Sequence, residues 1–167
     1  MGSSKQFLRH FFVALAATVF FASGATAAKP AVPFKALIAI TEQLGAPSPG
    51  CASSATVVGT GAAAHMGPVT SSSTDCVNLD PSTGLFSFSS TNIVLTASNG
   101  DQVFGTYQGT VDASSGIGVI TGSFTITGGT GRFLNASGGG AILGLEVLDI
   151  PNRSGQGQIQ LNGTISY

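Results

Sequence analysis

Few residues in this chain can do chemistry, and their types are restrictive. Beyond the first 27 residues only one histidine, His65, remains, which excludes a multi-histidine metal site and most histidine-dependent triads. Glu146 and Tyr107 are the other candidate catalytic groups. Glu146 lies between Leu145 and Val147 and shares a strand face with Ile142, Gly144 and Leu148. Turned into an apolar interior, its carboxyl would have a raised pKa and could act as a general acid or base. The opposite face, Ala141, Leu143, Leu145 and Val147, is equally apolar, so alternation does not decide between them. We read Glu146 as outward and non-catalytic, and His65 as a structural histidine. No cofactor site and no metal site are expected. Gly59-Thr60-Gly61 after Thr56-Val57-Val58 imitates a dinucleotide fingerprint, but Met66-Gly67-Pro68 breaks the helix that such a site needs.

Export is read from the N-terminus. Lys5 and Arg9 precede an apolar run, Phe11–Ala22, and Ala25-Thr26-Ala27 is a small-residue cleavage site, the pattern of a signal peptide over 1–27. The run is about 12 residues, short of the roughly 17–25 that span a bilayer as a helix. The expected location is secreted or periplasmic. Cys51 and Cys76 are the only cysteines, and an even pair in an exported chain reads as a disulfide.

Charge limits the partners. Without the leader, four bases face seven acids, a net charge of −3. The bases Lys29, Lys35, Arg132 and Arg153 are scattered, so there is no basic patch for nucleic acid or an anionic membrane. Charged residues make up 8% of the chain, and exposed faces must therefore be built from Ser, Thr, Asn, Gln and Gly. A homo-oligomer is compatible with this composition.

The elements that must position these groups are strands. Residues 28–50 read as a lead-in with a first strand at Phe34–Gln43, although Ala36–Leu44 also suits a short helix. The barrel domain is expected over 51–167. Leu85–Ser90 and Thr91–Ala97 alternate separately, with Phe86 and Phe88 in one and Ile93, Leu95 and Ala97 in the other. Asn99-Gly100-Asp101 predicts a hairpin with a type I′ turn. Val103, Gly105, Tyr107, Gly109 and Val111 share a face, as do Ile159, Leu161, Gly163, Ile165 and Tyr167. Seven to nine short strands with almost no helical period mean an all-β sandwich or barrel. Glycines inside the strands suit a small, strongly curved closed barrel.

One turn is more specific. Gly128-Gly129-Thr130-Gly131-Arg132-Phe133 closes a strand and is followed by Leu134-Asn135-Ala136-Ser137-Gly138. We expect positive φ among its glycines and Arg132 hydrogen-bonded to neighbouring carbonyls or Asp101, with an anion-binding role at the barrel rim as the alternative. This run resembles the turn of dirigent proteins and of exported bacterial proteins with an allene-oxide-cyclase-like barrel. Phe104-Gly105-Thr106-Tyr107 and Leu161-Asn162-Gly163-Thr164-Ile165 extend the resemblance. It implies a closed antiparallel barrel of about eight strands, calycin- or dirigent-like. Dirigent proteins guide phenoxy-radical coupling, and allene oxide cyclases cyclise a fatty-acid epoxide inside the barrel.

Three functional classes follow. The leading one is a non-catalytic exported barrel that binds a small apolar ligand or serves as a structural module. The second is a cyclase or coupling guide using Glu146, Tyr107 or His65. The third is an outer-membrane barrel, suggested by the terminal aromatic Tyr167 and the alternation before it.

Overall fold

A computed structural model of the chain describes residues 29–167. The expected signal peptide and its cleavage site lie outside the described residues. Eight strands follow in order: β1 Val32–Leu44, β2 Ser53–Ala63, β3 Gly67–Leu79, β4 Phe86–Ala97, β5 Gln102–Asp112, β6 Gly118–Gly129, β7 Ser137–Asp149 and β8 Ser154–Ser166. Each pairs antiparallel with the next, and β8 returns to β1, so the sheet closes into a barrel. Closure leaves no sheet edge to be guarded by charge, which suits a chain with so little of it.

Alternation decides what fills the interior. On β1, Phe34, Ala36 and Ile38 are buried while Lys35, Leu37 and Ala39 face out. The segment read as a lead-in is thus the strand that closes the barrel, pairing with β2 on one side and β8 on the other. The domain starts at Val32 rather than at residue 51, and no helix forms over Ala36–Leu44. β-Branched and alternating residues satisfied by two neighbouring strands outweigh a weak helical period.

Leu85–Ser90 and Thr91–Ala97 are one strand. Its register slips between Ser90 and Ile93 against β5, and β3 slips between Ser72 and Cys76 against it. An inserted bulge switches the parity of the inward face. That keeps Phe86, Phe88 and Ser90 on the same side as Ile93, Leu95 and Ala97.

The hairpin at Asn99-Gly100 forms with a different turn. Only Gly100 has positive φ, at +87°, and its N–H donates to the Ala97 carbonyl at 2.9 Å while Ala97 N–H donates to Asp101 at 2.9 Å. This is a three-residue loop ending in a left-handed glycine, not a two-residue type I′ turn. Asn99 keeps negative φ and uses its side chain instead, accepting the Asp101 N–H at 3.1 Å.

One end of the barrel is plugged. The glycine turn becomes a short 3-10 segment, Gly131–Phe133, which drives Phe133 into the interior with no exposure at all. Phe133 packs on Tyr167 with ring centroids 4.8 Å apart, and Phe34, Ala136 and Ile165 complete the plug. Gly131 has φ +55°, the left-handed value expected of the turn. Gly129 is needed for space: a Cβ there would lie 2.8 Å from Phe133 Cβ and against the Gln102 carbonyl. Arg132 stays outside, donating to the His65 carbonyl and pairing with Asp101 at 3.5 Å.

Candidate functional site

The other end opens into a cavity of about 320 Å³, at the lower limit of small-molecule sites. Its floor is mid-barrel, at Phe124 and Ile142, and its mouth is the β7–β8 loop with Asp149, Ile150 and Arg153. An eight-stranded barrel is just wide enough to be filled by side chains or to hold one small ligand. Here the plugged half does the first and the open half the second. Ile40, Ile93, Ile120 and Ile159 are among the apolar side chains of the wall.

Into this apolar wall project Glu42, Asp75, Glu146 and Tyr107. Three of the chain's seven acids thus share one interior, where acidic side chains are rarely placed without a partner. Arg153 is the single base on the lining, at the mouth, and its guanidinium donates to the Gly45 carbonyl at 2.6 Å and to Ser53 Oγ at 3.4 Å.

Asp75 and Tyr107 form one polar unit. The Tyr107 hydroxyl donates to Asp75 Oδ1, and Ser73 Oγ lies 3.0 Å from the same oxygen and 2.6 Å from the phenol. Unbroken alternation along β3 turns Ser73 and Asp75 inward, and Ser90, the last inward residue of β4 before its bulge, joins them. Burial pushes the Asp75 carboxyl up, against the lowering effect of hydrogen bonds from Tyr107, Ser73 and Ser90. The phenol is pushed far above its ordinary range by burial and then by the Asp75 charge.

Glu146 is buried, with 4% of its surface exposed, and its inward position overturns the outward reading. The reason lies on the neighbouring strands. Glu146 is registered opposite Gly118 on β6 and Gly157 on β8. A Cβ on Gly118 would come 2.8 Å from Glu146 Cγ, and one on Gly157 would come 2.7 Å from Glu146 Cβ. Glu42 is likewise opposite Gly155. A Cβ built there would meet both carboxylates, Glu146 Oε2 at 3.3 Å and Glu42 Oε2 at 3.6 Å. Glycines thus clear the space that the two glutamates occupy. Among the described residues no hydrogen bond reaches the carboxylate of Glu42 or Glu146.

Both glutamates are shifted. Burial first, then the charges of Glu146 and Asp75, push Glu42 up from 4.5 to about 7. Burial raises Glu146. The pair can therefore hold a proton near neutral pH and exchange it with whatever enters.

The structure separates the three sequence candidates. Tyr107 and Glu146 share the lumen, whereas His65 sits outside the plugged end in a turn of φ +66°, its Nε2 donating to the Pro33 carbonyl at 3.0 Å and its ring lying 5.7 Å from that of Tyr167. His65 has no access to the cavity. Glu42 and Asp75 were missed, yet both have the parity of inward neighbours: Glu42 follows Phe34, Ala36, Ile38 and Ile40, and Asp75 lies between Val69 and Val77. Cys51 and Cys76 are bonded beside the mouth, with Cα atoms 5.2 Å apart.

Fold and site together define a closed antiparallel barrel, plugged at one end, with an acidic and otherwise apolar lumen. Comparison with protein-family models, with curated proteins and with solved structures finds no match to this chain.

Proposed function

We propose that this is an exported barrel that binds a small, largely apolar molecule in its open half, without catalysis. The observation that carries the reading is the cavity itself, about 320 Å³ of space walled by Ile, Val, Leu and Phe and reached from one end only. Close packing is the rule in protein interiors, and the plugged half obeys it. A structural module would have no use for a hollow half with costly carboxyls inside. The disulfide and the leader-like N-terminus support export. The outer faces of β3 and β6 carry Thr70, Ser72, Thr74, Thr121, Ser123 and Thr125. A transmembrane barrel would need an apolar band around every strand, whereas here the exposed apolar side chains gather mainly on β1 and β7, at Leu37, Leu143, Leu145 and Val147.

A cyclase or coupling-guide activity, as the resemblance implies, is the second reading. The Tyr107–Asp75–Ser73 cluster and the Glu42–Glu146 pair favour it, since both could move a proton at an apolar substrate.

The test is a methyl-resolved NMR titration with cyclohexylmethanol as a neutral probe. Saturable shifts at Ile40, Ile93, Ile120 and Ile142, abolished by Ile142→Trp, are expected. Shifts that are absent, or that fall on outer residues such as Leu143 and Leu145, would overturn the binding reading.

A further inference from the structure

The lumen has a sign. Every ionisable side chain projecting into its interior is acidic or phenolic: Glu42 from β1, Asp75 from β3, Tyr107 from β5 and Glu146 from β7. At the mouth, Asp149 adds a further acid, and Arg153 is turned to the Gly45 carbonyl. Asp75 is already served by Tyr107 and Ser73. Glu146 is not: it is 96% buried by its 4% exposure, lines the cavity, and has no hydrogen-bond donor among the described residues. Among the described residues no fully buried side-chain oxygen lacks a partner, so the bare Glu146 oxygens are the part of the residue that opens to the cavity, and such a group is nearly always partnered once it is enclosed. A carboxylate kept bare inside a hollow, with glycine at all three flanking positions, is a site built around a donor that arrives from outside.

Resting on the binding reading above, we propose that the ligand is a small apolar amine, held as its ammonium ion with the nitrogen between Glu42 and Glu146 and its hydrocarbon part against Ile40, Ile93, Ile120 and Phe124. An ammonium brings N–H donors and no acceptor, which is what two unpartnered carboxylates lack. A metal ion fits less well: among the described residues no group of three or more His, Cys, Asp or Glu is placed to hold one. An anionic ligand would meet repulsion from three sides, and a neutral alcohol would leave one glutamate without a donor.

The proton balance follows from the geometry. In the empty lumen the Glu42–Glu146 pair retains a proton near neutral pH, since burial and mutual repulsion hold Glu42 at about 7. The incoming ammonium keeps all its protons, and its charge displaces the carboxyl proton to solvent. Binding near pH 6.5 therefore releases a proton to the buffer, and amine affinity rises with pH as the pair ionises.

The experiment uses three probes of one shape: cyclohexylmethylamine, cyclohexylmethanol and cyclohexanecarboxylate. Isothermal titration at pH 8 should give the amine at least roughly tenfold tighter binding than the alcohol, the scale of a hydrogen bond to a charged group, and no binding of the carboxylate. At pH 6.5, in two buffers of different ionisation enthalpy, the amine alone should show proton release. Glu146→Gln should remove the preference for the amine over the alcohol, and Asp112→Asn, outside the lumen, should leave the binding of both unchanged. Equal binding of amine and alcohol, or a tenfold preference that survives Glu146→Gln, would overturn the cation assignment and leave the lumen as a binding site. Binding of none of the three would overturn both.

Discussion

The carboxylates of Glu42 and Glu146, which are 104 residues apart in sequence, converge over Gly155, 3.6 Å and 3.3 Å from the point where a Cβ would stand. β8 makes this meeting, pairing with β1 on one side and β7 on the other. Neither strand alone contains a site. Closure of the barrel creates it.

The first prediction concerns the cost of this pair. Glu42 is raised from 4.5 to about 7, so the native state holds a proton that the unfolded chain gives up between those values. Stability therefore falls as pH rises from roughly 4.5 through 7. Glu42→Gln should be nearly neutral at pH 4 and stabilise by about 1–2 kcal/mol at pH 8, the full shift being discounted for partial exposure. Urea unfolding at the two pH values measures this. A gain at pH 4 that vanishes at pH 8 would contradict it.

Coupling within the pair gives a second expectation. After burial, the charge of Glu146 is what most raises Glu42, so neutralising one should ease ionisation of the other. In Glu146→Gln the Glu42 carboxyl resonance should titrate below 7, by carbon-detected NMR. An unchanged midpoint would mean that the two carboxylates do not sense each other.

The glycines around Glu146 supply a third. Gly157→Ala would set a Cβ against the Leu145 carbonyl and 2.7 Å from Glu146 Cβ, where backbone must move. It should cost about 1–3 kcal/mol, the range for overpacking. Gly155→Ala has its nearest atom at 3.3 Å, a flexible carboxylate oxygen, and should cost clearly less. Thermal melts of the two variants rank them directly, and the reverse order would remove the argument from space.

How much of this was legible in the chain differs by level. The class was plain, because strict alternation over β1, β5 and β8 leaves no other way to bury Phe34, Ile38, Val103 and Ile165. The strand count around Ser90 was not, since a bulge looks in sequence like two strands of opposite parity. Glu42 and Asp75 share the parity of Ile40 and Val77, but a carboxylate at an inward position runs against the usual exposure of acids. Glu146 was beyond sequence. Both faces of β7 are apolar, and its inward side is fixed by register opposite Gly118 and Gly157, a relation between strands that no local pattern carries. Leu143, Leu145 and Val147 are accordingly left 50–63% exposed.

The disulfide gives the fourth prediction. Cys51 and Cys76 tie the loop after β1 to β3 across 25 residues, next to the mouth of the cavity. Cys51→Ala should lower stability by about 3 kcal/mol on the chain-entropy account while leaving the barrel's circular dichroism unchanged. Thiol titration of the denatured, unreduced protein should read near zero. Two reactive thiols per chain would show that the bridge is not formed in the protein as isolated.

The last prediction separates the two halves of the barrel. Arg132 and Phe133 are adjacent, yet one is outside and 48% exposed while the other is fully buried in the plug. Arg132→Ala removes a partly exposed ion pair to Asp101 and a hydrogen bond to the His65 carbonyl. Such surface pairs contribute about 0–1 kcal/mol, so the variant should fold and bind as the parent does. Phe133→Ala removes the aromatic that seals the closed end against Tyr167 and should cost about 3–5 kcal/mol. Gly131→Val forces a β-branched residue to φ +55° and against the Asp101 carboxylate, and should resemble Phe133→Ala, because the turn's geometry is what places the ring. If Arg132→Ala proved as damaging as Phe133→Ala, the turn would be held by its charge and not by its plug, and the closed end would have to be understood as an electrostatic clasp.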